Sequence, residues 1–292
     1  RGLAVIKKNY DITASKGKMT TAEVDQRLSL ITGVISLEAL DDVDLVIEAV
    51  YENMDLKKEI FRKLDGICKA EAILATNTSY LDVNEIAAQT KRPESVIGLH
   101  FFSPANVMRL LEIVRGEKTS KPVLATSLAI AKKIKKVPAV VGVCFGFAGN
   151  RMFAQRKREA DQLLLEGAPA EQLDRVIFDF GFPMGPFVLS DLIGLDIGWS
   201  KETSSSSSVR EILCESGRLG LKNGSGYYKY EAGNRTPIPD PEVMQMIADF
   251  AAKQGFEKRE ISDDEIVKRC IYSLINEGAK ILEEGDRKAS CR

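Results

Sequence analysis

Residues 44–50 read Asp-Leu-Val-Ile-Glu-Ala-Val, a short and nearly continuous apolar run. Strands of a parallel sheet covered on both faces look like this, because both sides of the strand leave water. Asp55 then opens LKKEIFRKLDGICK, which places Leu56, Ile60, Leu64 and Ile67 at helical spacing. Residues 72–75 form a second apolar strand, and Asp82-x-x-Glu85 is a capping pair that opens another helix. Residues 96–102 and 107–114 read as third and fourth strands, 121–136 as a helix and 139–144 as the last strand. Upstream, residues 1–19 read as one long helix leading in. Alternating strands and helices of these lengths predict an α/β layer, a doubly wound, Rossmann-like parallel sheet.

The pattern changes after Gly146. Residues 150–166 favour a long helix, and further helical segments cover 172–178 and 209–216. The run Ser204 to Ser208 reads as a mobile loop. Asn223-Gly224 between apolar flanks predicts a tight hairpin into GYYKY, and residues 236–241 read as a proline-rich linker. Ser262-x-x-Glu265 caps a last amphipathic helix with Ile266, Cys270, Leu274 and Ile281 on one face. The expected organisation is residues 1–145 as the sheet domain, 146–235 as a mostly helical domain, and 236–292 as a linker with one further helix.

Lysine and arginine number 41 and aspartate and glutamate 42, so the chain has no net field with which to hold a nucleic acid or an anionic membrane. Its longest weakly charged stretch, 137–150, is too short to span a bilayer. The five cysteines, at 68, 144, 214, 270 and 291, show no C-x-x-C spacing and read as reduced thiols of an intracellular protein. No metal site is expected. The lack of an initiator methionine and the ending Ser-Cys-Arg read as those of a piece of a longer protein.

The chain has one histidine, His100, near the C-terminal end of the third strand. Open α/β sheets bind ligands beyond those ends. Glu112 sits inside the apolar run MRLLEIV, where a carboxylate needs a partner. An imidazole on a neighbouring strand would serve, and the carboxylate would fix its tautomer. The pattern alone leaves open a structural pair, or two unrelated surface groups. Ser79, in TNTSY past the second strand, is either a ligand contact or part of an ordinary turn. Asn150, in GFAGNR, either projects from the first turn of a long helix towards a ligand or simply caps it. Asp179-Phe-Gly181 matches a kinase tripeptide without its companion motifs. The glycines at 217, 220, 224 and 226 follow a helix, unlike a dinucleotide fingerprint. Lys132 to Lys136 read as a solvated helix face.

Taken together, DLVIEAVYEN, ATNTSYLDV, VIGLHFFSPANVMRLLEIV, GFAGNRM, DFGFPMGPF, SDLIGLD and GLKNGSGYY resemble the 3-hydroxyacyl-CoA dehydrogenase family in order and spacing. The closest likeness is to the dehydrogenase region of multifunctional fatty-acid β-oxidation enzymes, over nearly the whole chain. The resemblance implies NAD as cofactor and an acyl-CoA substrate. It implies His100 as general base, Glu112 as the group that orients it, and Ser79 and Asn150 as substrate contacts. On the cofactor side it implies Ala49, Glu52, Lys57 and Asn77. It also implies a cytoplasmic or peroxisomal setting, contact with other parts of a larger chain or with a second copy, and residues 236–292 as the start of a second helical repeat. The strand–GxGxxG–helix that opens the family's pattern is absent, which leaves the sheet domain incomplete. The competing expectation is a non-catalytic remnant that binds acyl-CoA or a protein. The 292 residues alone are therefore expected to bind NAD weakly, and fluorescence titration with NADH tests this: tight binding contradicts it.

Overall fold

The computed structural model describes residues 2–290, with side chains through residue 285. Cys291 lies outside the described residues, and the other four cysteines are free thiols. The chain forms two compact units, one ending at Val143 and the other starting at Cys144. No described helix is long and apolar enough to cross a membrane.

The first unit opens with two helices, α1 (Gly2–Ser15) and α2 (Thr21–Leu28), where the sequence predicts one. Gly17, at φ 69°, lets the chain turn while the Gly17 and Lys18 amides close on the carbonyls of Ala14 and Thr13. Thr20 and Glu23 then form a reciprocal capping box that restarts the helix. Next come β1 (Leu45–Glu48), α3 (Met54–Ile67), β2 (Ile73–Thr76), α4 (Val83–Ala87), β3 (Val96–Phe101), β4 (Leu110–Arg115), α5 (Lys121–Lys133) and β5 (Val137–Gly142). The cap of α3 is Asn53, whose side chain accepts from Leu56 N at 2.9 Å, rather than the expected Asp55.

The five strands lie in sequence order. β1, β2 and β3 are parallel, and β4 and β5 are parallel to each other, but β4 runs antiparallel to β3. The sheet is thus the expected mostly parallel, Rossmann-like one, with a single antiparallel pair. The connection from 102 to 109 is too short for a helical crossover, so the chain turns back beside β3. Helices cover both faces. Ile73, Ala75, Ile97, Leu99, Leu111 and Ile113 pack with Val123 and Ala131 of α5. On the other face Gly98 lets α4 come close: a Cβ there would lie 2.6 Å from Val114 Cβ and 3.4 Å from Val83 Cγ2.

The second unit contains α6 (Gly149–Leu165), α7 (Ala170–Asp179), α8 (Pro186–Ile193), α9 (Val209–Glu215), α10 (Pro241–Lys253) and α11 (Asp263–Ser290). Helices α10 and α11 contribute to its core: Val243, Ile247, Ile266 and Cys270 pack with Leu163, Leu173, Ile177 and Phe187. Arg269 ties α11 to α6 and its C-cap residue through Glu159 at 2.9 Å and Glu166 at 2.8 Å. The serine run is not the loose loop its composition predicts. Ser204 Oγ donates to Glu215 at 2.6 Å and accepts from Trp199 Nε1 at 2.8 Å, while Ser207 N donates to Glu211 at 2.6 Å. Around Asn223-Gly224 the chain makes isolated bridges rather than a hairpin of regular strands.

Helix α8 starts at Gly185-Pro186, where the cap position has no side chain. Asp174 of α7 caps it instead, accepting from Phe187 N at 2.8 Å, from Val188 N at 3.2 Å and from the Tyr228 hydroxyl. Gly185 is required, since a Cβ there would lie 2.2 Å from Asp174. Asp191 accepts from Tyr227 N and Tyr228 N at 2.9 and 3.0 Å. Burial pushes both carboxyls up to about 6, against the pull of these donors. Asp174→Ala is expected to destabilise the second unit by about 2 kcal/mol, through stranded amides. The native pKa of Asp174 lies above its unfolded value. Folding therefore binds a proton between the two values, and this residue's contribution to stability falls as pH rises from about 4 to about 6. Urea unfolding of wild type and Asp174→Asn across that range should show the wild type losing ground to the variant; a wild type that gains refutes the sign.

Candidate active site

The antiparallel turn between β3 and β4 sets His100 directly across from Glu112. Their side chains meet, with Nδ1 2.8 Å from Glu112 Oε2, and both residues are buried, at 3% and 1% exposure. The Phe102 ring packs tilted against the imidazole, with ring centroids 4.5 Å apart. An ionised carboxylate can only accept, so with Glu112 ionised and the imidazole neutral this contact would place the ring proton on Nδ1 and the lone pair on Nε2. The loop that follows β3 is held by Lys136, whose ammonium donates to the carbonyls of Ala105 and Met108. That lysine therefore does more than solvate a helix face.

The ends of β1 and β2 lie on the same side of the sheet as the end of β3. Asn77 leaves β2 and accepts from Phe101 N at 2.8 Å, tying its loop to the residue beside His100. Ser79 is half-buried in that loop, and its amide donates to Glu52 Oε1 at 2.8 Å. The same oxygen accepts from the Thr78 hydroxyl at 2.6 Å and from Tyr80 N at 3.0 Å. Burial works to raise the Glu52 pKa, but these donors and the Lys57 charge outweigh it and hold the carboxyl below its ordinary range. Glu52 Oε2 stands 3.6 Å from Lys57 Nζ. Ala49 is exposed just past β1.

Lys57 does not point outward. It is 1% exposed, and its ammonium donates to Glu48 Oε1 at 2.7 Å. Glu48 also accepts from the Thr76 hydroxyl at 2.7 Å. Glu48, Thr76 and Thr78 were not among the residues singled out from the sequence. One signal was present: Glu48 is a carboxylate inside an apolar strand, the feature that marks Glu112.

Asn150 belongs to the second unit. It is the second residue of α6, whose cap is Ala148, so Asn150 is not the cap of this helix. Gly146, at φ 75°, allows the turn that precedes it, and a Cβ there would come within 3.3 Å of Asn150 Cβ. No cluster of metal-ligating side chains occurs among the described residues.

Carboxylate, amide and hydroxyl groups gathered at strand ends suit the hydroxyl-rich ribose and nicotinamide end of a dinucleotide. A pyrophosphate cradle is a different matter. The strand-to-helix turns at 49–53 and 77–82 contain no glycine, so neither supplies the close backbone approach that such a cradle needs.

These features define a doubly wound α/β protein with a buried imidazole–carboxylate pair in its sheet, joined to a helical unit. Family models give the particular assignment. Residues 1–144 match the NAD binding domain of 3-hydroxyacyl-CoA dehydrogenase, and residues 146–230 match its C-terminal domain. The chain belongs to the 3-hydroxyacyl-CoA dehydrogenase family. It is 46% identical over 271 residues to the human peroxisomal bifunctional enzyme, covering 86% of this chain and 38% of that one. The chain thus spans about two-fifths of the length of the curated relatives it matches. Among solved structures it resembles Mycobacterium tuberculosis FadB2, with 35% identity and a TM-score of 0.72 over 79% of this chain and 86% of that one. It also resembles 3-hydroxybutyryl-CoA dehydrogenase of Escherichia coli, with 26% identity and a TM-score of 0.79 over 97% of this chain and 77% of that one.

The Lys57–Glu48 pair generates a stability prediction. Lys57→Met strands the Glu48 carboxylate in the sheet interior and should cost roughly 3–5 kcal/mol in urea unfolding. The double variant with Glu48→Gln should recover part of that loss. A double-variant loss equal to the sum of the Lys57→Met and Glu48→Gln single losses would show that the pair is not coupled.

Proposed function

We propose that the protein is an NAD-dependent dehydrogenase of fatty-acid β-oxidation that converts L-3-hydroxyacyl-CoA to 3-ketoacyl-CoA. The observation that carries this reading is the buried His100–Glu112 pair at the strand ends of a domain matching the family's NAD-binding model. Bound NAD supplies the acceptor for the hydride that leaves C3. His100 accepts the proton of the 3-hydroxyl at Nε2. Glu112 keeps Nδ1 protonated and stabilises the imidazolium that forms. Ser79 and Asn150 hydrogen-bond the reacting end of the substrate and limit its orientations. Glu52, Asn77 and the backbone at Ala49 serve the ribose side, with Lys57 supplying a fixed positive charge beneath Glu52.

In this reading residues 1–145 are the NAD-binding domain and 146–235 the helical domain. Residues 236–292 begin a second helical repeat. The naming of the human relative as a bifunctional enzyme supports further parts in a longer chain as partners, with a second copy as the other option. The peroxisomal naming of the curated relatives and the bacterial sources of the solved structures support an intracellular setting, peroxisomal or cytoplasmic.

The test is NADH consumption with acetoacetyl-CoA. His100→Ala should lower kcat by about 10²–10⁴-fold, the usual range for a positioned acid–base group, with circular dichroism unchanged. Glu112→Gln should lower kcat more than it changes KM. Turnover by His100→Ala at the wild-type rate removes the base from this mechanism. A wild-type chain that binds acetoacetyl-CoA in calorimetry without turning it over favours the non-catalytic binding reading.

A further inference from the structure

Two loops carry the groups assigned to cofactor and substrate: residues 49–53 after β1, with Glu52, and residues 77–82 after β2, with Asn77 and Ser79. Neither contains a glycine or proline, and neither is long. A shared polar anchor beneath them sets their spacing. Both Glu48 carboxylate oxygens are engaged. Oε1 accepts from Lys57 Nζ and from Val50 N, each at 2.7 Å, and Oε2 accepts from the Thr76 hydroxyl at 2.7 Å. The Thr76 hydroxyl has its proton committed to Glu48, so its lone pair faces Thr78 N, which donates to it at 3.3 Å. Thr78 then donates its own hydroxyl to Glu52 Oε1 and accepts from Leu81 N at 3.1 Å. The backbone adds a direct tie, Asn77 N to Glu48 O at 2.8 Å. A continuous chain of donors and acceptors therefore runs from Lys57 through Glu48, Thr76 and Thr78 to Glu52, and Glu52 holds the amides of Ser79 and Tyr80. Lys57, Glu48, Thr76 and Thr78 are all buried.

We infer that Glu48 and Thr76 are positioning residues for the reaction: with Lys57 they form an interior clamp that sets the distance between the loop of Glu52 and the loop of Ser79. The inference rests on the proposed dehydrogenase reading for its kinetic arm only. The geometry explains why the ammonium of Lys57 is turned inward. A charge at 1% exposure does not orient a ligand by touching it; it holds the carboxylate that in turn fixes the two loops. It also explains why position 76 is a threonine rather than the valine its β-branched, fully buried setting would otherwise favour. Among β-branched side chains only that of threonine can donate to Glu48 and accept from Thr78 N at once.

The test compares Thr76→Val, which keeps shape and removes the hydroxyl, with Thr76→Ser, which keeps the hydroxyl, and with Glu48→Gln. Hydrogen exchange of peptides spanning 77–82 reads the Ser79 and Tyr80 amides in the full chain. Thr76→Val and Glu48→Gln should speed that exchange about tenfold or more, with no change in peptides covering β3. Thr76→Ser should stay close to wild type. With acetoacetyl-CoA and NADH, Thr76→Val should lower kcat/KM for NADH by at least about tenfold per folded molecule, and Thr76→Ser should restore it. A variant that melts earlier but keeps wild-type exchange in 77–82 overturns the clamp, since a merely structural threonine predicts that result. If the wild-type chain has no turnover, the dehydrogenase reading fails, and the exchange comparison still decides the clamp by itself.

Discussion

Two carboxylates, Glu48 and Glu112, are buried in the sheet on strands whose other buried side chains are apolar. In an interior of low polarity such a group costs several kcal/mol unless charge or hydrogen bonds answer it. Each is answered by a partner of a different kind. Glu48 receives the ammonium of Lys57, brought in by α3, and Glu112 receives the imidazole of His100 from the adjacent strand. Strand alternation sets Glu48, Thr76, His100 and Glu112 on the sheet face opposite the one packed by α5. The strand ends on this face therefore carry a run of buried polar groups. The loops that leave β1 and β2 begin there, and the groups that hold them come from inside rather than from solvent.

The helical unit meets the same problem with neutral donors. Asp174 and Asp191 accept backbone amides and tyrosine hydroxyls, and no cation makes a direct contact with either among the hydrogen bonds described. Burial consequently dominates, and both carboxyls sit near 6. Glu52 has hydrogen bonds of the same kind, but it is partly open to water and lies near Lys57, so the balance tips the other way. What separates these carboxylates is the charge of the neighbour and the access of water, since the count of donors is similar. Asp174 and Asp191 are cross-links in the helical unit, each replacing a local cap or turn that glycine at 185 or 226 cannot supply.

Much of this was legible in the sequence because it rests on period and isolation. The alternation of apolar strands with helices of period 3.6 gave the layered α/β unit. A single histidine and a carboxylate stranded in MRLLEIV pointed to each other across twelve residues. What escaped has physical reasons. Strand direction is not encoded in a strand's own pattern, so the reversal at β4 could be read only from the shortness of 102–109. The break after α1 lay in Gly17 and the Thr20–Glu23 box, local signals outweighed by the surrounding helical residues. Serine-rich composition pointed to a loose loop, whereas Glu211 and Glu215 lie close enough to bind the hydroxyls. The role of Lys57 was hidden because a lysine's reach lets it point outward or inward, and only the position of Glu48 decides which.

The register of β3 against β4 connects fold to chemistry. In an antiparallel pair the sum of facing residue numbers is constant, so His100 opposite Glu112 and Gly98 opposite Val114 are a single fact. A slip of one residue would turn every side chain of one strand to the other face, separate the imidazole from its carboxylate and leave both buried without partners. Gly98 guards against this. It admits the Val114 side chain at a separation no Cβ would tolerate, with Val83 of α4 closing over it. Any slip would put a larger residue of β3 in that space. The steric fit at Gly98 and the electrostatic fit at His100 therefore select the same register, one through packing and the other through charge. The pair that does the proposed chemistry is thereby held by a contact that has no part in it.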